Sequence, residues 1–113
     1  MNDGAYYLAG YCIECGLKAC IAKLAQRHEF PNKKRADDSY SHNFGKLLNV
    51  AGLEQALLEE TQRDPAFLKS WDIVKLWSPE RRYVTTNSAT TKEIIEAVGN
   101  RNHGVLRWIK LHW

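Results

Sequence analysis

The side chains able to do chemistry in this chain are few, and their spacing limits what they can do. Cys12 and Cys15 stand three residues apart, the spacing of a redox or metal-binding thiol pair. Redox pairs normally sit at a helix N-terminus, where the dipole lowers the thiol pKa. This pair instead lies well inside an apolar, helix-like stretch. A structural zinc needs about four ligands, and the remaining thiol, Cys20, makes no second pair. The expectation is therefore that the thiols pack as small hydrophobes and hold no metal. Arg35 with His42 and Arg107 with His112 are Arg–His pairs close together in the chain. Seven arginines and four histidines make chance pairs common. In a regular helix Arg107 and His112 point about 140° apart, since five steps of about 100° make about 500°. Lys33, Lys34 and Arg35 form a basic run that, with Arg81, Arg82 and Tyr83, would attract phosphate. Glu14 needs a cation if it is buried, and Lys18 or Arg82 would complete a polar cluster with it.

The element that must position these groups is the stretch from Ala5 to His28. At helical spacing it shows one apolar stripe through Ala5, Ala9, Ile13, Leu17, Cys20 and Leu24, and a second through Leu8, Cys12, Cys15 and Ala19. One partner helix needs less apolar surface than this. Such a helix sits at the centre of a bundle, or faces a core on one side and a second subunit on the other. Gly10 and Gly16 thin the face for close backbone approach. Glu14 and Lys18 stand in the favourable i,i+4 order. The aromatics Tyr7, Tyr11, Trp108 and Trp113 fall on the first and last helices and predict a homodimer interface there.

The rest of the chain continues the helical pattern. Phe44, Leu47, Leu48 and Ala51 give an amphipathic segment ended by Gly52. Leu53, Ala56 and Leu57 follow. Asp64 caps the next helix with Pro65 at its first position, and Phe67, Trp71 and Val74 form its inner stripe. Ile94, Ile95 and Val98 mark a short helix closed by Gly99. Val105, Leu106, Trp108 and Ile109 mark the last. The prediction is an all-α, up-and-down bundle of about five helices in a single domain spanning 1–113.

Composition narrows the class. The chain has 113 residues, 44% hydrophobic and 26% charged, as in ordinary globular domains. No apolar run is long enough to span a bilayer, and MNDGAYY lacks a signal-like start. An odd number of cysteines, three, argues for reduced thiols and a cytoplasmic setting. A net charge of +3 permits an anionic partner without requiring one.

Four segments together resemble one known family. GYCIECGLKACIAK from Gly10 is similar to the first helix of the HEPN family, the nucleotide-binding domain shared by higher eukaryotes and prokaryotes, whose signature reads approximately GY, a small apolar pair, then E-C-x-LK-A. HNFGKLLNVAGL from His42, WSPERRY from Trp77 and GVLRWIKLHW from Gly104 fit the same family in the same order. The resemblance implies a helical fold and a small accessory protein that dimerises and binds a nucleotide, RNA or a nucleotidyltransferase partner, as in toxin–antitoxin pairs, with no cofactor. Ribonucleases of the family use Arg and His separated by four to six residues, the Arg to hold phosphate and the His as acid or base at the ribose 2′-OH. Arg35–His42 and Arg107–His112 match that spacing, but Ala36 and Trp108 stand where the family places a polar residue. A metal-independent endoribonuclease and a purely structural interaction module are the alternatives.

Overall fold

The computed structural model describes residues 2–27, 37, 41–77 and 88–113, and these are helical wherever they are regular. Six helices are described: α1 (Asn2–Arg27), α2 (Phe44–Ala51), α3 (Glu54–Arg63), α4 (Pro65–Val74), α5 (Ser88–Gly99) and α6 (Val105–Lys110). The longest, α1, has 26 residues, about 39 Å at 1.5 Å per residue. It packs against α2, α5 and α6, while α4 packs against α3, α5 and α6. The core lies between α1 and the remaining helices and contains Ile13, Leu17, Leu47, Phe67, Val74, Ile94, Val105 and Ile109.

Local sequence chemistry sets the helix ends. Asn43 caps α2, its side chain accepting from the Lys46 N–H at 3.0 Å. Gly52 closes α2 in the left-handed region at φ 71°, and the Leu53 N–H reaches back to the Leu48 carbonyl at 3.0 Å. Asp64 caps α4 by accepting from the Ala66 N–H at 3.0 Å, with Pro65 at the first position. Phe44, Leu47, Leu48 and Ala51 are all buried, as their spacing predicts. α3 buries no residue completely and lies at the periphery. Ile95 is 49% exposed, and Ala97 occupies the inner face of α5 in its place.

Two glycines allow the close approach expected of α1. The Trp77 indole lies against Gly10, where any Cβ would collide with the ring. A Cβ on Gly16 would meet the Ile109 methyl at 2.9 Å, so α6 also sits tight on α1. Trp77 stacks on Phe44 with centroids 5.4 Å apart and donates from Nε1 to the Tyr6 carbonyl at 3.1 Å. That ring ties the end of α4 to both α1 and α2.

One expectation about the aromatics is corrected. Trp108 is 2% exposed and packs on Phe67 at 5.5 Å, so it belongs to the core and is not available to a second subunit. The reason is that α6 is wedged between α1 and α4 and turns its middle residue inward. Among the described residues no helix is long and apolar enough to cross a membrane.

Candidate functional site

The first stripe of α1 faces the core: Ile13 and Leu17 are fully buried, and Cys20 is 4% exposed. The second stripe faces outward. Leu8 is 61% exposed, and Cys12, Cys15 and Ala19 are exposed as well. The packing role expected for Cys12 and Cys15 is thus overturned; only Cys20 is buried. The other described helices dock on one side of α1, and the thiol side is exposed. Between Gly4 and Ala25 the charged residues are Glu14, Lys18 and Lys23. Glu14 points inward, so the outward strip carries no acid. Tyr11, 44% exposed, stacks on Tyr7 with centroids 6.0 Å apart. A hydrogen bond between Tyr11 and Cys15 is the main cause that raises the tyrosine above its ordinary pKa of 10.0.

Where α1 passes the start of α2, a polar cluster forms. Glu14 is 3% exposed. One carboxylate oxygen lies 3.2 Å from Lys18 Nζ and the other 2.7 Å from His42 Nδ1. Lys18 is the cation expected there; His42 is a partner that the sequence does not suggest. Asn43, as the cap of α2, fixes the chain direction and brings His42 onto Glu14 from 28 residues away. Against a carboxylate oxygen, which accepts, Nδ1 is the donating nitrogen of the ring. The imidazole side chain is 61% exposed, whereas that of Glu14 is 4% exposed. A buried carboxylate that orients a solvent-facing imidazole is the usual support of a general base.

A second cluster joins α3, α4 and α6. Glu60 takes Arg63 Nε at 3.1 Å and Arg107 Nη2 at 3.3 Å. Asp64 Oδ2 lies 2.7 Å from His103 Nδ1. The bond to His103 and the N–H groups at the start of α4 hold Asp64 below its ordinary 3.8, against a smaller upward push from desolvation. Arg107 Nε is buried with no hydrogen-bond partner among the described residues. His112 packs edge-on against Trp108 at 5.0 Å; burial and then Lys23 hold its pKa below 6.5, opposed by Glu60.

Arg107 and His112 therefore have separate structural partners, an ion pair for one and a core indole for the other. Trp113 is 47% exposed, and Lys110 Nζ lies 5.7 Å from its ring centroid. Lys33, Lys34, Arg35, Arg81, Arg82 and Tyr83 lie outside the described residues, and with them the Arg35 half of the other pair and the Arg82 arm of the Glu14 cluster. No protein-family model, curated protein or solved structure matches the chain.

Proposed function

We propose that the chain is a small HEPN-like accessory protein of the cytoplasm. It pairs with a second copy through α1 and binds a nucleotide, RNA or a nucleotidyltransferase partner, as in a toxin–antitoxin pair. The observation that supports pairing is the outward strip of α1, where Leu8, Cys12, Cys15 and Ala19 are exposed together, since a contiguous exposed apolar strip marks an interaction surface. The net charge of +3 permits an anionic ligand. A titration of labelled single-stranded RNA at low and moderate salt tests the ligand half. Binding without cleavage, weakening steeply as salt rises, is the expected result. Absence of binding to RNA, mononucleotides and nucleotidyltransferase alike would overturn it in favour of a structural module.

The clasp of His42 by Glu14 favours a second reading, a metal-independent endoribonuclease with His42 as general base. It expects cleavage of single-stranded RNA in the presence of chelator. His42→Ala should lose about 10²- to 10⁴-fold of the rate, Glu14→Gln should lose part of it, and His112→Ala should be silent. An inert wild type eliminates this reading.

A further inference from the structure

The outward strip of α1 has a register as well as a composition. Leu8, Cys12, Cys15, Ala19 and Ala22 are all exposed and follow one another at intervals of four, three, four and three. That is the a/d seam of a coiled coil. With Cys12 and Ala19 at a, and Leu8, Cys15 and Ala22 at d, Lys18 falls at g and Lys23 at e. Parallel pairing would place Lys18 beside the partner's Lys23, on both sides of the seam, with no acid on the strip to offset them. Antiparallel pairing about a two-fold axis between Cys12 and Cys15 sets each residue opposite the one whose number makes a sum of 27. The g edge then lies beside the partner's g edge and e beside e, so Lys18 flanks the partner's Tyr11, Lys23 flanks the first turn of the partner's helix with no lysine beside a lysine, and Leu8 fills the space over the partner's Ala19. Cys12 faces the partner's Cys15. For the second copy proposed on this face, charge and side-chain volume thus favour the antiparallel orientation.

We propose that in this pair the four outward thiols, Cys12 and Cys15 from each copy, converge on the two-fold axis as a tetrathiolate site for a thiophilic divalent cation such as zinc. The inference rests on the pairing proposed above. Residues three apart on a helix have Cβ atoms about 5–6 Å apart, and the edge of a tetrahedral site with bonds of about 2.3 Å is about 3.8 Å. One helix can therefore span one edge, and the two-fold axis supplies the opposite edge. Helices whose seam carries small residues approach to about 8–10 Å, close enough for four sulfurs to share an ion. One copy cannot do this: among the described residues no group of three or more His, Cys, Asp or Glu side chains could hold a metal. Each thiol that ligates gives its proton to solvent, so binding strengthens as pH rises. The sequence spacing counts against a metal because it supplies one pair per chain; the exposed register supplies the other pair from the second copy.

Titration of the reduced protein with cobalt(II), followed by light scattering with and without metal, tests the site. The expected result is the strong visible absorption of tetrahedral thiolate cobalt, saturating at one ion for every two chains and displaced by zinc. Cys12→Ser and Cys15→Ser should each abolish that absorption with unchanged helicity, and Cys20→Ser should leave its intensity unchanged. A metal-free dimer that gives no thiolate absorption would remove the metal site and leave pairing intact. A monomer both with and without metal would remove both.

Discussion

Phe67→Ala is expected to lower folding stability by about 3–5 kcal/mol. Phe67 is fully buried and packs on Trp108 at 5.5 Å, where α4 meets α6. Truncation removes a large apolar side chain and leaves a cavity that a ring held between helices cannot fill. Domains of this size are stable by only about 5–15 kcal/mol, so the variant should sit near its unfolding threshold. Its neighbour provides the control. Leu68 is 40% exposed, and Leu68→Ala should stay within about 0.5 kcal/mol of the wild type. Urea unfolding of both variants checks the pair. Equal losses would contradict the placement of the core on the Phe67 side of α4.

Gly10→Ala is expected to destabilise by about 1–3 kcal/mol, although alanine is the better helix former by about 1 kcal/mol. The new methyl would collide with the Trp77 ring. Moving that ring disturbs its stack on Phe44 and its bond to the Tyr6 carbonyl. At Gly4, on the same helix, an added Cβ would meet nothing within 4 Å, so Gly4→Ala should be neutral or slightly stabilising. Thermal melts of the two variants should move in opposite directions or, at the least, differ clearly. A Gly10→Ala protein as stable as Gly4→Ala would show that Trp77 does not dock on α1.

The two glycines also show what a sequence can and cannot convey. The helices are legible where local chemistry decides them. Asn43 and Gly52 bound α2, Asp64 and Pro65 start α4, and the Phe44–Leu47–Leu48–Ala51 spacing identifies a buried face. The two stripes of α1 are legible as well. Which of them the rest of the chain covers is not, because periodicity records apolar character and not the presence of a neighbour. For that reason Cys12 and Cys15 read as packed thiols although they are exposed. Trp108 reads as an interface residue because it is one of several aromatics gathered on the first and last helices; the wedging of α6 between α1 and α4 puts it in the core. The need of Glu14 for a cation is legible from the cost of burying a carboxylate, and Lys18 answers it. The contact with His42 is not, since nothing local joins residues 28 positions apart. Of the two Arg–His pairs, Arg107 and His112 have unrelated structural partners.

Pairing through α1 is tested most directly by the mass of the wild-type protein in solution. Multi-angle light scattering of reduced protein at micromolar concentration should give twice the 13.0 kDa chain mass. Leu8→Asp, which places a charge on the seam, should return it to the mass of one chain with its helicity intact. A wild-type mass of one chain at every concentration up to the millimolar range would contradict the pairing and leave the outward face of α1 without a second copy.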